Sequence, residues 1–312
     1  MKTKLAFARL LIVAAFAAAV TAPAFGQSPG TNRVSITIEG EQRVIRANGL
    51  PNHAPGAFPN RGNPNSIAAQ NYVYRVPLHP QKAAAPRPFG LQPFGIALNG
   101  VVFDPGANEF WNGDRNSGWQ YEAMNLPGKL GMDQNNAHVQ PDGAYHYHGI
   151  PEGLIAGTKN AKQHMTQIGW AADGFPIYSP YAPTDPNNTN SPIKEMKSSY
   201  QIKKGTRLGG PGGSYDGSFT ADYEYVPGTG DLDECNGRSG ITPEFPQGSY
   251  YYCVTASFPY IPRQYRGTPD PSFERRGPPP GGRDGRGGRG PRRGPPDAPP
   301  GFGPPMRGGG GN

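Results

Sequence analysis

From residue 27 to residue 266 the apolar side chains come in short alternating runs separated by Gly, Pro, Asn and Asp. A period of two is the mark of half-buried strands, and the longer amphipathic stretches that build helices do not occur. Val34-Ser35-Ile36-Thr37-Ile38 and Val44-Ile45-Arg46, joined by Glu39-Gly40-Glu41, read as a hairpin. Further strands are expected over residues 71–76, 94–98, 101–103, 144–150, 167–171, 175–178, 222–226 and 249–256. Residues 52–65 and 183–213 read as long irregular loops, and only 161–166 and 192–197 have the composition of short helical turns. The pattern predicts a mainly β fold, a sandwich or barrel-like domain with long loops.

Within that domain two stretches echo each other. Gly95-Ile96-Ala97-Leu98-Asn99-Gly100 matches Gly169-Trp170-Ala171-Ala172-Asp173-Gly174, and the match continues in order. Tyr121-Glu122 answers to Tyr223-Glu224, Asp133-x-x-Asn136 to Asp233-x-x-Asn236, and Pro141-x-Gly143-Ala144-Tyr145-x-Tyr147 to Pro246-x-Gly248-Ser249-Tyr250-x-Tyr252. Each unit would be a hairpin turned by Asn-Gly or Asp-Gly, then a Tyr-rich strand. Two duplicated β units packed face to face would give the sandwich or pseudo-twofold barrel; convergence in a Gly- and Tyr-rich chain is the competing explanation.

The ends change the picture of charge and compartment. Lys2, Lys4 and Arg9 precede an unbroken apolar run from Leu10 to Val20 and then small residues. This is the layout of a signal peptide, residues 1–24 with cleavage after Ala24, or after Gly26, and it implies a periplasmic or extracellular, secreted protein. From residue 267 onward 27 of 46 residues are Gly or Pro, a composition that cannot bury enough apolar surface to offset its ordering entropy. Residues 267–312 are thus expected to be a disordered tail, leaving a single β-rich domain at 27–266. The tail carries eight arginines against four acidic residues. Removing it and the signal peptide from the formal +7 of the whole chain leaves the body neutral. The body therefore gives no electrostatic reason for nucleic-acid binding. In an exported protein the Arg-rich tail points to anionic cell-envelope polymers. No later stretch has the length of an integral membrane segment.

Cys235 and Cys253 are the only cysteines. An even count in an exported chain favours a Cys235–Cys253 disulfide, whose closure would be worth about 3 kcal/mol in the chain-entropy picture. Two free thiols or a thiolate metal site are the alternatives.

The chemistry concentrates at Tyr145-His146-Tyr147-His148-Gly149. On a strand, His146 and His148 share one face and Tyr145 and Tyr147 the other. His138 lies upstream across Pro141-Asp142-Gly143, a turn that can return its strand alongside. Three imidazoles, with Asp133 or His164 as a fourth ligand, suit Zn²⁺ or Cu²⁺ rather than Mg²⁺ or Ca²⁺. Should the site hydrolyse or oxidise, the ion would activate water and Asp133 or Glu122 would take the proton. The competing reading has the imidazoles bonded to buried carbonyls, and several of the 16 tyrosines aligned with Trp119 and Trp170 to stack on a glycan in a noncatalytic envelope module. Nucleotide and flavin motifs are missing, so neither cofactor is expected.

These same segments resemble the YHYH-domain proteins. The likeness rests on Asn99-Gly100, Asp133 with His138, Tyr145 to Gly149, Asp173-Gly174-Phe175-Pro176-Ile177-Tyr178, Leu232-Asp233-Glu234-Cys235-Asn236-Gly237, and Gly248 to Tyr252 followed by Phe258-Pro259-Tyr260. It covers roughly residues 94–262. The resemblance implies a secreted protein and carries no reaction with it. It also implies a histidine in the second Tyr-x-Tyr strand, where this chain has Tyr251.

Overall fold

A computed structural model describes residues 30–126, 130–158, 160 and 162–275. The expected signal peptide and nearly all of the Arg-rich tail lie outside the described residues. The strands, in chain order, are β1 (Val34–Glu39), β2 (Gln42–Ala47), β3 (Tyr72–Pro77), β4 (Arg87–Pro88), β5 (Gly95–Ala97), β6 (Val102–Phe103), β7 (Ala137–Val139), β8 (Tyr145–Tyr147) and β9 (Gln167–Ala171). They continue with β10 (Pro176–Tyr178), β11 (Tyr181–Pro183), β12 (Ile193–Glu195), β13 (Tyr200–Ile202), β14 (Tyr223–Tyr225), β15 (Gly237–Gly240), β16 (Ser249–Cys253) and β17 (Gln264–Tyr265). The protein is mainly β, as its alternation predicts. One α-helix, Glu152–Ala156, is described.

Eight strands form one sheet in the order β15-β16-β10-β9-β5-β6-β8-β7, and this sheet carries the internal echo. β5 turns through Asn99-Gly100 into β6, and β9 turns through Asp173-Gly174 into β10. Both glycines have φ near +80° to +90°, Gly100 at 81° and Gly174 at 90°, a conformation that costs a residue with a Cβ. β6 then pairs in parallel with β8, Phe103 opposite Tyr147. β10 pairs in parallel with β16, Ile177 opposite Tyr252. At the two edges Ala137 faces Tyr147 and Gly237 faces Tyr252, and Asn136 and Asn236 both take positive φ, 53° and 56°.

Matched registers and matched turns identify two copies of one β unit. They do not pack face to face. They join edge to edge through β5 and β9, Ile96 opposite Trp170, in an open sheet that neither closes into a barrel nor divides into sandwich halves. The close approach is made possible by Gly95 and Gly169: a Cβ on either would come within 2.4–2.6 Å of the opposing strand's carbonyl.

The main core lies on one face of this sheet. Tyr145, Tyr147, Tyr250 and Tyr252 pack there with Phe94, Ile96, Phe103, Phe175 and Ile177. The three-stranded sheet β1-β2-β3 covers part of it with Ile45, Ala47, Tyr74 and Val76. The opposite face of the second unit buries a smaller cluster that includes Tyr178, Tyr251 and Cys253.

That division corrects the disulfide expectation. Cys235 packs with the main core, and Cys253 with the cluster on the opposite face. Both are buried free thiols. The backbones are adjacent, since Cys253 N–H bonds the Asn236 carbonyl at 3.1 Å, but the side chains part to the two sides of the sheet. Two other expectations change. Residues 192–197 contain β12 rather than a helical turn, paired with β11 inside the expected loop. Composition also places 267–275 in the tail, whereas they pack on the body: Phe273 stacks on Tyr74 at 4.2 Å, and Gly267 N–H bonds Asp173 at 2.8 Å.

Candidate metal centre

Strand alternation delivers the His pair as the sequence suggests. His146 and His148 are buried on the face away from the tyrosine core, and β7 brings His138 opposite His146. The return is made at Gly143, φ +87°, with Gly143 N–H closing on the Gln140 carbonyl at 2.9 Å. The Nε2 atoms converge, His146 to His148 at 2.9 Å and His148 to His138 at 3.0 Å. The three ligand atoms all lie within 4.8 Å of one another.

The outer nitrogens orient these rings. His138 Nδ1 is 2.8 Å from the Leu130 carbonyl and His146 Nδ1 is 3.1 Å from that of Ala144. A carbonyl only accepts, so each Nδ1 carries the proton and each Nε2 is left with a lone pair. His148 Nδ1 is buried without a hydrogen bond of good geometry. The Pro105 carbonyl raises its proton affinity, the smallest of the effects upon it and opposed by the larger ones. Burial lowers the pKa of all three rings. His146 is pushed well below the ordinary value, with the charge of His138 adding to burial, and His148 likewise by burial and then by His146 and His138. The cluster is thus a set of neutral imidazoles in which the Nε2 lone pairs of His138 and His146 converge with Nε2 of His148, an arrangement suited to a cation.

The site opens on a cavity of about 340 Å³ lined by the three histidines together with Asn63, Asn65, Glu109 and Gln140. The loop at 60–65 closes it by capping the sheet edge: Asn63 and Asn65 donate through their side-chain amides to the Val139 carbonyl at 2.9 and 2.8 Å.

Several sequence candidates lie elsewhere. The Asp133 carboxylate stays on the tyrosine face, accepting from Tyr145 hydroxyl at 2.7 Å and Gly56 N–H at 2.8 Å, and does not join the histidine cluster. Glu122 is fully buried and bound by Arg263 at 2.7 Å, so it is committed to an ion pair. His164 is exposed and outside the cluster. Trp170 is buried beneath the Arg43 guanidinium, 3.5 Å from the ring centroid, and Trp119 packs edge-on to Phe219. Neither face of Trp170 is offered to a sugar.

Residues that the sequence reading passed over include His53, whose Nε2 lies 2.7 Å from the Tyr147 hydroxyl, and Glu109 in the cavity wall. Nothing in their local sequence marks them; each is brought in by a loop that packs from a distance.

The second unit supplies a natural control. At the places of His138, His146 and His148 it carries Arg238, Tyr251 and Cys253, and Arg238 Nε donates to Tyr251 hydroxyl at 2.6 Å. The tyrosines, by contrast, are kept with their acceptors: Tyr145 on Asp133, Tyr250 on Asp233 at 2.9 Å.

An open eight-stranded sheet of two β units, one holding a buried tri-histidine cluster, defines the class. Within it, the YHYH protein family model matches residues 73–267, and the chain belongs to that family. The match reaches further at its N-terminal end than the motifs alone, taking in β3. No curated protein and no solved structure matches the chain.

Proposed function

We propose that this is an exported metal-binding protein that holds a zinc or copper ion through Nε2 of His138, His146 and His148. The observation that carries the reading is the convergence of three Nε2 atoms at 2.9 and 3.0 Å while two of the rings spend their Nδ1 protons on backbone carbonyls. Imidazole donors select Zn²⁺ and Cu²⁺ over the oxygen-seeking Mg²⁺ and Ca²⁺. When bound, such an ion would supply Lewis acidity toward whatever occupies the adjoining cavity. Export rests on the charge and hydropathy layout of residues 1–26.

Cobalt titration tests the ligand set. Co²⁺ added to the wild-type protein is expected to develop visible ligand-field bands that saturate at one equivalent, and His138→Ala, His146→Ala and His148→Ala are each expected to lose them. Bands that persist in all three variants would place the ion elsewhere.

A further inference from the structure

Among the described residues, the sheet β1-β2-β3 ends on a strand with no outer partner. β1 is its outer member, and all six residues are exposed. By register Val34 and Ile36 stand beside Ala47 and Ile45 of β2, both buried. Side chains alternate along a strand, so Val34, Ile36 and Ile38 share the face that β2 and β3 press onto the core. Yet they are 36 %, 41 % and 69 % exposed: the apolar stripe runs on past the margin of the core. Edge strands are ordinarily blunted by lysine, proline, a bulge or a covering segment. β1 contains no lysine or proline, and its pairing with β2 has no register shift.

The polarity of the free edge follows from the ladder. Asn48 N–H donates to the Arg33 carbonyl at 3.0 Å, so Arg33 is a position bonded to β2. Bonded positions alternate in an antiparallel pair, hence Ser35, Thr37 and Glu39 face β2 while Val34, Ile36 and Ile38 turn N–H and C=O outward. Run antiparallel about Ile36, a second β1 sets Ile36 against Ile36, Val34 against Ile38, Ser35 against Thr37 and Arg33 against Glu39. In this register every outward residue falls in a hydrogen-bonded pair and apolar meets apolar on one face. Opposite charges meet twice. Sliding the strands by two residues keeps the bonding parity but shortens the overlap and sets Arg33 against Thr37, or Glu39 against Ser35.

We propose that β1 is a dimerisation strand: two copies pair β1 to β1 about a twofold axis at Ile36, merging their three-stranded sheets into one of six strands. The surface is independent of the histidine cluster.

Sedimentation equilibrium of the full chain over about 5–500 µM, a range suited to a small interface, tests this. The wild type is expected to show a reversible monomer–dimer equilibrium. Ile36→Lys places two ammonium groups at the axis, and Arg33→Glu sets like charges opposite each other twice. Each is expected to weaken association by at least about tenfold, with unchanged circular dichroism, and unchanged melting at dilutions where the wild type is monomeric, because both side chains are at the surface. Val73→Lys, on the other face of the same sheet, leaves the dimer intact. A wild type that is monomeric throughout the range, or a dimer that survives both β1 substitutions, would overturn the proposal.

Discussion

Asp133→Asn distinguishes the two roles open to this carboxylate, metal ligand or loop anchor, and its duplicate Asp233 provides the internal standard. Asp133 Oδ2 accepts from Gly56 N–H at 2.8 Å, Tyr145 hydroxyl at 2.7 Å and the Asn135 side-chain amide at 3.3 Å. Its Oδ1 accepts from the N–H groups of Asn135 at 2.8 Å and Ala137 at 3.3 Å. Whichever oxygen becomes an amide nitrogen, at least one backbone N–H is left facing a donor. A stranded buried donor together with the loss of a charge-assisted bond costs on the order of 2–4 kcal/mol. At Asp233 the backbone donors, Cys235 and Gly237, both bind Oδ1 at 3.0 Å, and Oδ2 receives only Tyr250 hydroxyl at 3.1 Å. An amide nitrogen at Oδ2 strands no N–H there, so Asp233→Asn is expected to cost about 1 kcal/mol. Urea unfolding of the metal-free proteins measures both, read as a midpoint shift at constant slope. Asp133→Asn is expected to be the more destabilising and to keep the cobalt spectrum of the wild type. Equal costs, or a folded Asp133→Asn protein that no longer binds the ion, would refute the reasoning.

Other consequences are as direct. Burial pushes Asp173 up to about 6 in spite of its bonds from Tyr252 hydroxyl and Gly267 N–H. A folded pKa above the unfolded value means that stability is lost as pH rises from about 4 to about 6, by up to roughly 3 kcal/mol. Asp173→Asn, which installs the residue found at the equivalent Asn99, should flatten that part of the stability–pH curve in urea titrations and keep the fold. The histidines act with the opposite sign: their folded pKa values lie below the usual 6.5, so their contribution is complete above pH 6.5 and is lost as pH falls below it. Metal-free wild type should therefore weaken below that pH more steeply than a His146→Phe, His148→Phe protein. Alkylation under denaturing, non-reducing conditions should label two thiols per chain, and reductant should leave the melting temperature unchanged; a single protected pair would reinstate the disulfide.

Much of the site was legible because period-two alternation is a local rule. It places His146 and His148 together and Tyr145 and Tyr147 opposite without reference to the rest of the fold, and the Pro141-Asp142-Gly143 turn returns His138 to them. The duplication was legible too, since Asn99-Gly100 and Asp173-Gly174 impose the same turn at the same distance from Gly95 and Gly169, each ahead of a Tyr-x-Tyr strand. What escaped was decided at a distance. Spacing allowed Cys235 to reach Cys253, but the sheet sends their side chains to opposite faces. Asp133 looked like a ligand until the Tyr145 hydroxyl claimed it, and Trp170 looked like a stacking platform until Arg43, on the other sheet, covered it. Strands as short as β7 and β15 carry too few residues to declare a period.

Metal content of the purified protein tests the central claim most directly. Wild-type chain prepared without chelators and assayed by plasma mass spectrometry is expected to carry zinc or copper at about one ion per chain, and the His146→Ala, His148→Ala protein, folded by circular dichroism, none. A wild type without stoichiometric metal that also fails to take up either ion on dialysis would contradict the account.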